Sequence, residues 1–383
     1  MKKRMGVLAL ACAMMLGMTG CGQKQEETQS TVPTDFVEKK VEPVSFESGV
    51  ELQENCKHLI YALGNAPATI DAAKYFKMRV EQESKGAMTV DIYTDNVLGS
   101  ERELLESCQF GDYDIVLATN ATVAAFCHDI YCLDIPWLFE NKQQVYEVLD
   151  GKLGDYLGQE LNKVGFQLLQ WQENSFRTLS TTNRPVESMK DLKGMKIRIM
   201  ENELQLAQWK AYGANPTPMA FTELFTALQQ GTVDGQDNGA ELTWQSKFCE
   251  VQKYYVYTKH IYSPYVILMS GERFNEFSPE DQEMILRVSD EAVAYERQRC
   301  SEYEAVALEN IKNYPGMNYA ELSPEAVEEM KAACSGIKEM AYDKVDHPEV
   351  IDLLYDEVEN AKQKYPTESV SNQTMADTEQ PAA

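Results

Sequence analysis

The stretch DLKGMKIRIM (191–200), with YGANPTPMAFTELFTALQQGTVDGQDN (212–238) after it, decides how this chain folds. In KIRIM (196–200) the residues alternate as a strand requires, with Ile197 and Ile199 on one face and Arg198 on the other. Gly194 and the turn at 191–193 give that strand a sharp start. The two prolines of Asn215-Pro216-Thr217-Pro218 hold an extended segment. Thr222 then stands at the start of a helix, FTELFTALQQ, whose Leu224, Phe225 and Leu228 form an apolar face. Gly231 ends the helix, and VDGQDN (233–238) reads as a polar return turn.

Working outward, strand-like runs alternate with amphipathic helices. HLIYALG (58–64) precedes a helix around 72–84, TVDIYT (89–94) precedes one over 100–110, and YDIVLAT (113–119) follows. A second set of strands starts at FQLLQWQ (166–172) and includes KIRIM. This order predicts an α/β protein with mixed, largely parallel sheets covered on both faces. At 383 residues the chain is long enough for two lobes, because single cores stop growing at about 250–300 residues. After Ser278-Pro279 no proline or glycine interrupts a helix until Pro315. At ~1.5 Å per residue it would reach about 54 Å, more than one small lobe.

The formal charge is −26, and −29 once Lys2, Lys3 and Arg4 leave with a leader, which argues against a nucleic-acid partner or broad adsorption to anionic lipid. Those basic residues, the apolar run 5–18 and Thr19-Gly20-Cys21 read as an export signal over 1–20, with Cys21 the lipidated first residue of the mature protein. The apolar run falls short of the ~20 residues of a spanning helix. The polar, aperiodic residues that follow suggest a flexible tether over 21–55, and the residues beyond 365 a disordered tail, 366–383. Without Cys12 and Cys21 seven cysteines remain, an odd number with no paired framework, and they are expected to be buried small hydrophobes. Cys127-His128 and Cys132 lack a second ligand pair, so no metal is expected, and nothing calls for a cofactor.

Several motifs together resemble the substrate-binding proteins of tripartite ATP-independent periplasmic (TRAP) transporters, the DctP-type family. They are Lys-Gly-Met-Lys-Ile-Arg (193–198), Gly-Ala-Asn-Pro-Thr-Pro-Met (213–219) and Val-Asp-Gly-Gln-Asp-Asn (233–238), in the family's order and spacing. The likeness extends through LGSERELLESCQFGDYDIVLAT (98–119), LDIPWLFENKQQVYEVLDG (133–151) and FCEVQKYYVYTKHIYSPYVILMS (248–270). It implies a two-lobed periplasmic-binding-protein-like fold bridged by one long helix. Lobe I is then 56–173 with 264–300, and lobe II is 174–263 with 301–365. It also implies an extracytoplasmic protein, held by its N-terminal lipid on the outer face of the cytoplasmic membrane, that passes an organic acid to TRAP membrane subunits. Eligible solutes are a C4-dicarboxylate, a 2-oxo acid, a sialic acid or a sugar acid such as a uronate.

A guanidinium presents a planar fork to a carboxylate, and the resemblance gives that role to Arg198. By the same likeness Arg177, ahead of the Asn183-Arg184-Pro185 turn, is a second cation, and Trp171 and Asn174 on its segment are candidates to stack on the solute and to bond it. Asn238 can both donate and accept; Gly239 stands where the family usually has proline, which predicts a looser loop. Asn65 and Asn120 follow lobe I strands, where ligands of open α/β sheets sit. Trp209, Phe221, Glu241 and Trp244 are further candidates for shaping specificity. GxxxxGK, GxSxG and HExxH motifs are all missing, so no catalysis is expected. The alternatives are a receptor for a sensor kinase and a surface hydrolase of acidic sugars.

Overall fold

The computed structural model describes residues 36–367. The leader, Cys21 and nearly all of the expected tail lie outside them. The strands are β1 (Lys57–Ala62), β2 (Met88–Tyr93), β3 (Ile115–Thr119), β4 (Phe166–Gln172), β5 (Phe176–Thr181), β6 (Lys196–Ile199), β7 (Asn215–Pro218), β8 (Gly235–Asn238), β9 (Tyr254–Tyr262), β10 (Tyr265–Ser270) and β11 (Asn318–Glu321). They form two sheets, β2-β1-β3-β10-β4 and β11-β9-β5-β8-β6-β7. Each sheet mixes parallel pairs such as β1 with β2 and β6 with β7 with antiparallel pairs such as β3 with β10 and β5 with β9. β4, read from sequence as the first strand of the second set, instead pairs with β10 at the edge of the first sheet.

The helices that matter for the site are α1 (Pro67–Glu83), α2 (Glu101–Gln109), α3 (Lys142–Leu149), α4 (Lys152–Lys163), α5 (Phe221–Gln229), α6 (Ala240–Gln245), α7 (Pro279–Asn313) and α8 (Glu349–Lys364). Every residue of β3 and β10 is buried, as expected of strands covered on both faces. The expected long helix is α7, capped by Ser278 with Pro279 in its first turn. It packs on α1 and β4 of lobe I and on α6 and β11 of lobe II, so it bridges the lobes. The chain also crosses between lobes at 173–175 and 263–264, and these crossings touch, since Ser263 N donates to Ser175 O at 3.4 Å. Sequence had put Thr222 at the start of α5; the helix begins at Phe221 with Ala220 as N-cap and no side-chain cap.

Two segments sit differently from the sequence reading. The second half of the expected tether has no regular secondary structure but runs antiparallel along α7. Phe36 meets Trp244 and Tyr314, Lys39 N bonds Asn310 Oδ1 at 2.9 Å, Glu42 O accepts from Arg299, and Phe46 meets Tyr75 and Tyr295. Its aromatic residues find apolar seats that hold it. Helix α8, at the end of the expected lobe II, packs instead on α3 and α4. These are lobe I elements, because α4 lies against β4.

The seven cysteines in the described residues are unpaired, and all but Cys56 are buried. The loop before α8 is fixed by Asp129. Its Oδ1 accepts from Asp346 N and His347 N at 2.9 and 3.0 Å, and its Oδ2 from Tyr156 OH at 3.0 Å and His347 Nδ1 at 2.8 Å. Removing a buried acceptor orphans its donors, so Asp129→Ala is expected to cost about 3 kcal/mol in urea unfolding. The hydrogen bond and charge of Asp129 raise the His347 pKa above its ordinary value. A raised folded pKa stabilises the protonated state. The advantage of wild type over His347→Ala is therefore full below about pH 6 and fades as pH climbs past neutrality, measured as the difference between their urea midpoints.

Candidate functional site

Between the lobes lies a cleft with about 700 Å³ of free space counted to its open mouth, lined from both sides. Lobe II contributes Arg198 from β6, which runs between β8 and β7 at the centre of its half-sheet. Ile197 and Ile199 fill the core on one face, as expected, but the other face is covered too, and Arg198 is only 3% exposed. Its Nε and Nη2 both donate to Met219 O, at 3.0 and 2.7 Å, and its guanidinium lies 6.0 Å from the Phe221 ring centroid. Among the described residues no carboxylate pairs with it. Burial, and then repulsion from Arg177, lower its pKa to about 10. A buried cation without an acid is destabilised, and a carboxylate brought to it relieves that cost.

Arg177 on β5 is different. Its Nε donates to Asp237 Oδ2 and its Nη2 to Asp237 Oδ1, both at 3.1 Å, and Nη2 also bonds Asp237 O. His260 Nε2 lies 3.0 Å from the same Oδ2. Burial opposes the ionised carboxylate, yet Arg177 and His260 hold the Asp237 pKa well below the ordinary range. Arg177 lines the cleft, but its charge is already matched within lobe II.

The acid of that pair sits on β8, where sequence had placed a polar return turn. GQDN is a buried strand, antiparallel to β5 and parallel to β6. Its polar side chains are satisfied internally: Gln236 Nε2 donates to Ser180 Oγ at 2.6 Å, and Asn238 Nδ2 to Gln236 Oε1 at 2.5 Å. Asn238 ends the strand at the cleft wall, and Gly239 caps α6. The loop is tight where the sequence suggested looseness. A Cβ on Gly239 would stand 1.9 Å from Ser175 Oγ, so the lobe crossing occupies the space a proline would need.

Of the residues singled out from sequence, Arg198, Arg177, Asn238, Asn174, Asn65 and Phe221 are brought together around the cleft. The other five are not. Trp171 is buried at the α4 side of β4, where its indole meets Gly154. Trp209 packs edge-on against Tyr212 and His260 in the core. Trp244 meets Phe36 and Tyr314 and donates to Glu38. Asn120 accepts from Ser263 Oγ at 2.8 Å, and its N–H donates to Pro264 O at 3.1 Å, so it braces the lobe crossing. Glu241 is not part of the cleft lining and accepts from Ala68 N of lobe I at 2.9 Å.

Apart from Asn65, sequence reasoning missed the lobe I wall. Glu101, the first residue of α2, lines the cleft, and its Oε2 accepts from Thr119 N at 3.1 Å and from Thr119 Oγ1 and Thr122 Oγ1 at 2.7 Å each. All three bonds go to Oε2, which leaves Oε1 to accept from a solute. Beside it stand Asn96, Ser100, Arg102 and Tyr265, and the Oδ1 of Asn65 has no partner among the described residues. Glu101 reads from sequence as an ordinary first-turn acid beside the capping box of Ser100 and Glu103. The usable signal was its position, at the carboxyl end of β2, where sheets of this kind bind ligands.

A family model for the bacterial extracellular solute-binding proteins of family 7 matches residues 62–344. A solute-binding protein of Verminephrobacter eiseniae is 37% identical over 237 residues, 62% of this chain and 71% of that protein. The 2,3-diketo-L-gulonate-binding periplasmic protein YiaO of Escherichia coli is 32% identical over 241 residues, 63% and 74% of the two chains. The crystal structure of the sugar acid binding protein DctPAm of Advenella mimigardefordensis with galactonate superposes with a TM-score of 0.77 at 31% identity, covering 80% of this chain and 99% of that one. A TRAP periplasmic solute binding protein of Polaromonas bound to D-erythronate gives 0.74 at 31% identity, covering 78% and 98%.

Ser175, a non-glycine residue at φ 95°, pays a steric cost that glycine would not. Gly239→Ala is expected to destabilise by about 1–3 kcal/mol through overpacking. Adding Ser175→Gly removes the clashing hydroxyl and restores most of the loss, a coupling that a double-mutant cycle in urea reads directly.

Proposed function

This chain belongs to the bacterial extracellular solute-binding proteins of family 7, the DctP-type proteins of TRAP transporters, and we propose that its own solute is a sugar acid with one carboxylate and several hydroxyls. The observation that carries this reading is the pair of opposed walls. Arg198 is a buried cation without an acid, suited to one carboxylate through its fork. Across the cleft Glu101 presents an anchored carboxylate, which accepts from hydroxyls and repels a second acid group. Arg177 does not answer a second carboxylate, because Asp237 already matches it. The relatives crystallised with galactonate and D-erythronate, and a further one with β-D-galacturonate at 25% identity, support the same class.

The lobes close over the acid and present a joint surface to the TRAP membrane subunits, which carry it across the membrane. The protein catalyses no reaction. Export and a lipid on Cys21 would keep it at the outer face of that membrane. None of the helices among the described residues is long and apolar enough to cross it.

Calorimetry against D-galactonate, D-erythronate, D-galacturonate and succinate tests the reading. At least one sugar acid is expected to bind ten-fold or more tighter than succinate. Arg198→Ala should weaken that acid about 30-fold or more, because an unmatched buried charge costs about 2–5 kcal/mol. Glu101→Ala should weaken the sugar acid while narrowing its lead over succinate. Succinate binding as tightly as every sugar acid, or an Arg198→Ala variant of unchanged affinity, would overturn the assignment.

A further inference from the structure

We propose that α6 is the latch that holds the cleft shut, with Glu241 as its positioning residue. This rests on the reading of the cleft as a solute site that closes. Helix α6 follows cleft residue Asn238 after Gly239 and belongs to lobe II, yet its two ends are tied to lobe I, one to the first turn of α1 and the other to the β1–α1 loop. At its start, Glu241 Oε1 accepts from Ala68 N at 2.9 Å. At its end, Ser246 Oγ accepts from Asn65 Nδ2 at 3.2 Å, and Asn65 itself lines the cleft. Between them Leu242 lines the cleft and packs into the lobe I core cluster beside Ala66 and Tyr265.

The first tie answers a local need. Helix α1 begins with Ala66 as N-cap, which has no side chain to bond the first-turn N–H groups, and with Pro67, which has no N–H. Ala68 offers the first amide that wants an acceptor, and Glu241 supplies it from the other lobe. The cap that helices usually carry in their own chain segment is here delivered across the cleft. When the lobes part, α1 loses its cap and returns to water, so the bond counts only toward the closed state. The other oxygen of Glu241 is met by the Cys300 thiol of α7 at 3.5 Å, which aims the carboxylate from behind. Burial, with Glu173 and Glu304 nearby, pushes the Glu241 pKa up to about 7, against the bonds from Ala68 and Cys300. A neutral amide is therefore a fair replacement for it.

Small-angle scattering and stopped-flow dissociation of D-galactonate test the latch on the full mature chain. Glu241→Ala should enlarge the radius of gyration of the free protein and raise the galactonate off-rate about ten-fold, with the melting temperature of the free protein nearly unchanged. Glu241→Gln, which keeps an acceptor for Ala68 N, should restore both. If Glu241→Ala leaves scattering and off-rate at wild-type values, or lowers the melting temperature without moving either, the residue serves the fold alone and the proposal is wrong. If galactonate fails to bind even wild type, the solute assignment fails, and the scattering of the free variants still decides the latch.

Discussion

The structure turns on one electrostatic constraint: a guanidinium placed where water hardly reaches and given no acid. Among the described residues, Arg198 hydrogen-bonds a carbonyl oxygen and faces an aromatic ring, and no carboxylate pairs with it. Isolated buried charge is expensive by several kcal/mol, so such a residue persists only where surrounding structure enforces it. Here β6 is held between β8 and β7, with Ile197 and Ile199 locked in the core beneath. The neighbouring Arg177 would make the position worse if it were bare. Asp237 offsets part of that charge, and among the described residues no carboxylate pairs with Arg198 itself.

The same economy explains which parts of the molecule could be read from the chain. Alternating and continuous apolar runs announced β1, β3, β4 and β6, and uninterrupted helical pattern announced the long α7. The alternation placed Arg198 opposite the core face, and the motifs around it singled it out by their resemblance to a known family. β8 gave no such sign, since Gly-Gln-Asp-Asn contains no apolar residue, and its burial depends on partners from β5 and β9 that lie far away in sequence. Tryptophans misled for the opposite reason. Trp171, on a strand, and Trp209, on a helix, have the right size for a ligand wall, but size says nothing of which face of its element a ring takes, and both went to the core.

The lobe crossings show compensation between residues that sequence reading treats separately. Ser175 adopts a backbone conformation usually left to glycine, and its hydroxyl fills the space over Gly239. The departure at Gly239 and the strain at Ser175 are one arrangement, joined again to Ser263 and Asn120 on the second crossing. The shape of the cleft near Asn238 is therefore set by close packing at the joint itself.

Residues 36–48 lie along the spine of the molecule, stitched to α7 from Tyr314 down to Tyr295 and to helices of both halves. A cord sewn along the back leaves the mouth unobstructed. A pull on Phe36 would be shared between α7 and the helices that carry Trp244 and Tyr75, and none of the residues from Phe36 to Ser48 lines the cleft.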